Sequence, residues 1–353
     1  MKWWFHTLAV LGMLTIAQTL HAQERDRFSI NGYTSFEFEK LLDSEGNGDP
    51  NGSFDADLFD LVFNFYPTDK VRVAADITWE HGTATEDKLG NAAIEYGFVE
   101  YTVSDLIKVR VGKMFTPFGI FNEIHTAKPA FLSVKEPAST NKAERIIDGA
   151  FRFFPRWGVG IALHGEGVLK DKNFSYDVLI ANGEQEATNP FEEDNNGAKA
   201  LTGRFRIEPT ETLQVGTSFY YDVVGFGGVD SIVSDGVELR YQGDTIHLLA
   251  EMVTGWQRAE TGGSIHQLGW MLQPSYHFEN GMTPYLRVER VDPDLDVSND
   301  HGYDFVVGLN LEVSPGFMIK AENNYFRGAS ESTLSEFPGR GYSEIKMAVV
   351  LGF

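Results

Sequence analysis

The chain has 353 residues, and its 51 acidic and 29 basic side chains give a formal net charge of −22. This balance argues against nucleic acid as a partner, because binding to phosphates needs a basic face. Cysteine is absent and aromatic residues make up 13% of the chain, which excludes disulfides and thiolate sites and argues against disorder.

The amino-terminal segment has the pattern of a cleaved secretory signal. Lys2 precedes an apolar stretch that runs to Ala17, and a small residue, Ala22, stands before Gln23. We therefore expect residues 1–22 to be a signal peptide and residues 23–353 to form the mature domain. A retained helical anchor is the alternative, but the apolar stretch is short for a bilayer-spanning helix.

From Phe28 onward, apolar and polar residues alternate with a period of two, which indicates β-strands. The segment "FSINGYTSFEFE" (28–39) has one apolar face and one polar face, and the pattern recurs as far as "IKMAVVLGF" (345–353). No stretch of comparable length carries a helical stripe. The sequence therefore predicts an all-β protein.

The connectors between these segments alternate in length. Short ones contain Pro, Gly, Asn or Asp and have the composition of tight turns. Long connectors alternate with them, at residues 40–53, 81–91, 114–156, 183–199, 224–235, 255–263, 293–301 and 327–341. The segments that they separate number about sixteen, an even number, as in bacterial single-chain barrels.

A soluble β-sandwich also alternates, but its connectors need not sort into one short end and one long end. A sheet surrounded by hydrocarbon must close on itself, because its edge groups find no water there. We therefore predict a transmembrane antiparallel β-barrel of about 16 strands in the Gram-negative outer membrane, with short periplasmic turns and long extracellular loops. Its expected surroundings are outer-membrane lipid and lipopolysaccharide. The last strand resembles the signal read by the barrel assembly machinery, with Phe353 as its final aromatic residue.

Three segments carry a family resemblance: "GKMFTPFG" (112–119), "WGVGIALHGEG" (157–167) and "FSYDVLIANG" (174–183). They resemble the phosphate-selective porin O/P family of outer-membrane channels. The resemblance implies a sixteen-stranded porin, often a homotrimer, whose third outer loop folds into the lumen as a constriction. It also implies passive diffusion of small hydrophilic solutes, with anions such as phosphate as candidates.

The third long connector, residues 114–156, is the candidate constriction loop. A loop of this length inside a compact domain usually has a function. The alternative is a loop that lies over the barrel mouth without entering it. The pore candidates are selected from the basic residues of this loop and from those that strand parity places in the lumen, together with Lys113 at the end of the preceding strand. They are Lys108, Arg110, Lys113, Lys128, Lys135, Arg145, Arg152, Arg204 and Arg206. Acidic residues lie on the same lumen-facing sides of the strands, so the competing interpretation is a lumen lined by both positive and negative charges.

No motif points to catalysis, a cofactor or a metal. The segment "DPDLDVSND" (292–300) spaces its carboxylates like a calcium loop, but Val297 stands where that loop needs glycine, which favours a solvated acidic loop. We therefore expect no enzyme activity. The rival to a channel is a surface barrel that acts as an adhesin or receptor through its acidic loops, with its lumen blocked.

Overall fold

A computed structural model describes residues 27–42, 51–80, 92–141, 153–184, 194, 196–330 and 339–353. The predicted signal peptide, residues 1–22, lies outside this described part. The structure is a closed barrel of sixteen antiparallel strands in which each strand pairs with its neighbours in sequence. The strands are β1 Phe28–Leu41, β2 Ser53–Thr68, β3 Val71–Glu80, β4 Ala92–Ser104, β5 Ile107–Phe115, β6 Trp157–Leu169, β7 Lys172–Ala181, β8 Ala200–Thr210, β9 Leu213–Phe226, β10 Val229–Gln242, β11 Ile246–Ala259, β12 Ser264–Tyr276, β13 Met282–Asp292, β14 Gly302–Ser314, β15 Phe317–Gly328 and β16 Gly341–Gly352.

The barrel closes by pairing its first strand with its last. The register runs from Tyr33 opposite Gly352 to Leu41 opposite Glu344. At one end of this seam, Gly32 and Phe353 exchange two backbone hydrogen bonds of 2.8 and 2.9 Å. No strand edge of the barrel is therefore left open to the surroundings, as a sheet in hydrocarbon requires.

The alternation along each strand separates an apolar outer face from a polar inner face. In β1, Phe36 is exposed on the outside, whereas its neighbours Ser35 and Glu37 are buried inside the barrel. In β16, Met347 and Val349 are exposed in the same way. This arrangement is the reverse of a soluble core, and it suits a surface that contacts lipid.

Two of the predicted long connectors are tight turns. Residues 227–228 join β9 to β10, and residues 260–263 join β11 to β12. The prediction of long connectors was wrong at both places, because the strands extend further than the apolar alternation indicated. Gly227 and Gly228 adopt φ angles of +62° and +81°, which glycine tolerates without strain and which allow the strands to continue almost to the turn.

In the part of the chain that the structure describes, helical structure occurs only in the connector between β5 and β6. It comprises two 3-10 turns, Asn122–Ile124 and Lys128–Ala130, and the single-turn helix α1, Ala138–Asn141. Within the described ranges, no helix has both the length and the apolar composition needed to cross a lipid bilayer.

Candidate functional site: the lumen and the inward loop

The described parts of the connector between β5 and β6, residues 116–141 and 153–156, fold into the barrel and are called the inward loop below. Its two ends are held together by Asn122, whose amide nitrogen donates to the carbonyls of Thr116 at 2.8 Å and Arg156 at 2.9 Å. The loop then reaches the far wall, where the amide of Val134 donates to Glu322 Oε2 at 3.0 Å. Since Glu322 lies in the middle of β15, the loop crosses the lumen rather than covering its mouth.

Apolar side chains explain why this loop lies inside. Phe118 stacks on Phe154 with ring centroids 4.2 Å apart. Both rings belong to a buried cluster with residues of the inner wall, among them Ile232 of β10 and Val253 of β11. Burying an aromatic side chain stabilises by about 1.5–3 kcal/mol. Phe118 of "MFTPFGIF" therefore belongs to an apolar core within the lumen, a role that the strand pattern did not reveal.

Glycine permits the closest approach of the loop to the wall. Gly119 has a φ of +62°, and a Cβ at this position would collide with the carboxylate of Glu251. Its amide donates to Ser218 Oγ at 3.1 Å, and its carbonyl accepts from Arg206 Nη2 at 2.8 Å. The turn "TPFG" therefore has a specific place against β8, β9 and β11.

Basic side chains of the wall hold the backbone of the inward loop. Lys320 of β15 is 1% exposed, and its Nζ donates to the carbonyls of Lys128 at 2.6 Å, Phe131 at 2.5 Å and Ser133 at 3.1 Å. Arg287 of β13 donates to the carbonyl of Lys135 at 3.2 Å. Strand parity places both residues in the lumen, but only the fold shows that they bind the loop.

Two of the predicted loop cations lie against β1 and β2. Lys128 is 4% exposed, and its Nζ lies 3.0 Å from Glu37 and 3.2 Å from Asp57. Lys135 contacts the same carboxylates at 2.5 and 3.0 Å. Burial lowers the pKa of Lys135, but Asp57 and Glu37 outweigh burial and raise it, so the side chain stays charged. The other two predicted loop cations, Arg145 and Arg152, lie outside the described residues.

The predicted wall cations lie together on β5 and β8, and each is held by a neighbour. Lys113 donates to the carbonyl of Ile94 at 2.5 Å, and the other four lie against carboxylates. The pairs are Lys108 with Glu166 at 2.9 Å, Arg110 with Glu100 at 2.8 Å, Arg204 with Glu123 at 2.6 Å and with Asp177 at 2.8 Å, and Arg206 with Glu238. Two of these pairs, Glu100 with Arg110 and Asp177 with Arg204, join directly opposed residues of adjacent strands.

One carboxylate of the inward loop, Glu123, belongs to the site although the candidate list contained only basic residues. Burial raises its pKa, but the charge of Arg204 outweighs burial and lowers it, so Glu123 is ionised. No sequence signal links the two residues, because they are far apart in the chain and meet only when the loop folds inward.

Water reaches the lumen along β5–β8. The side chains of Lys108, Arg110 and Glu123 are 20%, 21% and 34% exposed, in contrast to Lys320 and Arg287 on the far wall. Towards the short-turn end, this side of the lumen opens into a cavity of about 680 Å³. Its polar lining includes Glu166, Asn173, Ser175, Arg206, Glu208 and Gln214. The inward loop thus fills one part of the lumen and leaves a charged passage of mixed sign along the other.

Comparisons with known proteins agree with the barrel architecture. No protein-family model matches the chain. An uncharacterised protein of Aquifex aeolicus (strain VF5) is 27% identical over 213 residues, which are 56% of this chain and 45% of that protein. The matched region therefore spans less than half the length of this relative.

Solved structures match over nearly the whole chain. The anion-selective porin from Comamonas acidovorans superposes with a TM-score of 0.68 at 11% identity, over 92% of this chain and 99% of that one. In-vitro folded OmpT of Vibrio cholerae, in its trimer form, gives a TM-score of 0.60 at 11% identity, with the same coverage of 92% and 99%. At such identities the likeness shows a shared fold and nothing finer.

Proposed function

We propose that this protein is a channel of the Gram-negative outer membrane through which small hydrophilic solutes diffuse down their gradients, with no chemical step. The observation that carries the proposal is the charged passage between the inward loop and β5–β8. A closed barrel with an apolar exterior suits lipid, and a polar lumen narrowed by a loop suits a filter for dissolved solutes.

The orientation follows from the two ends of the barrel. Short turns face the periplasm in outer-membrane barrels, and longer loops face outward towards lipopolysaccharide. The Vibrio cholerae neighbour exists in a trimer form, and we propose a homotrimer here as well. Separation of the unheated, detergent-folded protein by mass would test this, since a monomeric mass would contradict it.

Liposome swelling tests the channel itself. Liposomes that contain the folded protein should swell in solutions of small sugars, and the rate should fall as the sugar becomes larger, because the passage is narrow. Liposomes with heat-denatured protein serve as the control. Sugars that fail to enter would refute the channel and favour the adhesin or receptor with a blocked lumen.

We further propose a weak preference for anions. The passage presents Lys108, Arg110 and Lys113 to water, and close charges act more strongly on a permeating ion than charges on distant loops, which salt screens beyond about 8–10 Å. Glu166 and Glu100, the carboxylate partners of Lys108 and Arg110, keep the preference small. For this reason strong phosphate selectivity is not part of the proposal.

Reversal potentials in a planar bilayer under a salt gradient measure this preference. Changing both Arg110 and Lys113 to Gln removes two positive charges from the passage and should shift the reversal potential towards cation selectivity. Arg258→Gln is the matched control, because this side chain is 72% exposed at the end of β11 and pairs with Asp230 outside the passage. A wild-type channel with clear cation selectivity would contradict the anion preference.

A further inference from the structure

The connector between β13 and β14, residues 293–301, brings three potential metal ligands together. Asp292 ends β13, and Asp300 and His301 directly precede β14. One ligand atom from each of these residues lies within 4.8 Å of the other two. Such spacing suits a single ion that is bound at about 2.0–2.2 Å from each ligand.

Burial and hydrogen bonding distinguish this cluster from ordinary surface acids. Asp292 and Asp300 are only 3% and 7% exposed. One oxygen of each carboxylate is engaged: Asp292 Oδ2 accepts from Arg290 Nη2 at 2.6 Å, and Asp300 Oδ2 accepts from the amide of Asp294 at 3.1 Å. The other oxygens, Asp292 Oδ1 and Asp300 Oδ1, are buried with no hydrogen-bond partner among the described residues.

Two buried carboxylate oxygens without partners are costly unless a cation or donor satisfies them. Their engaged oxygens fix the orientation of each carboxylate, as outer-shell hydrogen bonds do around bound metals. Arg290 offsets one of the two negative charges, and the site keeps a net negative charge that attracts a cation. His301 is only half-buried, so an ion from solvent can reach the cluster.

We propose that Asp292, Asp300 and His301 bind a divalent transition-metal ion of the Zn²⁺ class. Imidazole together with carboxylate oxygens is a donor set that suits Zn²⁺. Ca²⁺ instead takes six to eight oxygen ligands, and this segment also lacks the glycine of a calcium loop at Val297. The bound ion ties the end of β13 to the start of β14 at the long-loop end of the barrel.

Titration calorimetry of the full, detergent-folded chain with ZnCl₂ after chelator treatment tests this site. Wild type should show a saturable site that is weakened about tenfold or more in both Asp300→Asn and His301→Gln. Asp296→Asn is the matched control, because it removes a carboxylate from the same connector without touching the cluster, and it should bind as wild type does. Heat-modifiable migration on a gel confirms that each variant retains its barrel.

Three results would overturn the proposal. The first is a wild-type chain with no saturable Zn²⁺ binding. The second is a His301→Gln variant that binds Zn²⁺ as tightly as wild type, because the imidazole is then not a ligand. The third is displacement of Zn²⁺ by equimolar Ca²⁺, which would indicate a site of oxygen ligands alone.

Discussion

Lys320 provides the sharpest test of how the inward loop is held. Its buried ammonium group donates to the carbonyls of Lys128, Phe131 and Ser133. It also lies 4.7 Å from the centre of the Phe131 ring. Lys320→Met has a similar length and an apolar tip, so it should leave these three buried carbonyls without their donor while the strand pairing of the barrel persists.

The expected magnitude follows from these contacts. Hydrogen bonds to a charged group contribute about 1.5–3 kcal/mol each, so three of them amount to roughly 4.5–9 kcal/mol. Burying the ammonium group costs several kcal/mol, which the methionine variant does not incur. The net loss of loop anchoring is therefore about 3 kcal/mol, and opening of the loop should become about 150-fold more frequent.

A single introduced cysteine can report this opening, because the chain has none of its own. Ser133 is fully buried in the loop beside Lys320, so Ser133→Cys should react with a water-soluble maleimide only when the loop opens. Adding Lys320→Met should accelerate labelling by about 100-fold or more. Lys108→Met, which removes a lumen lysine paired with Glu166, is the matched control and should leave the rate unchanged.

A labelling rate in the Lys320→Met variant within about threefold of its parent's would refute this anchoring role, since that change corresponds to less than 1 kcal/mol. In the same variant, single-channel currents should become larger or noisier if the loop narrows the passage. If labelling accelerated while the currents stayed unchanged, anchoring of the loop by Lys320 would be supported. The proposed constriction would then be refuted.

Two further predictions concern acid and the barrel seam. Burial opposes ionisation of Glu136, but the charge on Arg156, 3.2 Å away, outweighs it and lowers the pKa to about 2. Because this lies below the unfolded value of about 4.3, loop anchoring by Glu136 is present above about pH 5 and lost towards pH 2. Current noise should rise over that range in wild type, and a profile identical to that of Glu136→Gln would contradict this. Phe353→Ala should reduce insertion into the outer membrane, because the Phe353 ring packs over Gly32 at the seam. Leu351→Ala, on the outer face, should insert normally, and equal insertion of both variants would count against a special role for Phe353.

The sequence predicts the pairing of β1 with β16 more directly than it predicts the course of the inward loop. Pairing of the first and last strands follows from alternation and from the need to satisfy every backbone group in hydrocarbon. The inward course of the loop came instead from a resemblance carried by "GKMFTPFG", and the structure confirms that course. The tight turn at Gly227 and Gly228 was missed because the strands extend further than the apolar alternation indicated, and only strand pairing shows where they end.

The sequence by itself determined the periodicity of two and the alternation of an apolar and a polar face, because these depend on neighbours along one strand. Only the tertiary structure decided which charges meet. Lys128 reaches Glu37, and Arg204 reaches Glu123. Such contacts join distant segments whose relative positions are set by closure of the barrel and by burial of the aromatic residues of the loop. No local sequence pattern predicts them, because each pair contributes to stability only once folding has brought its two partners together.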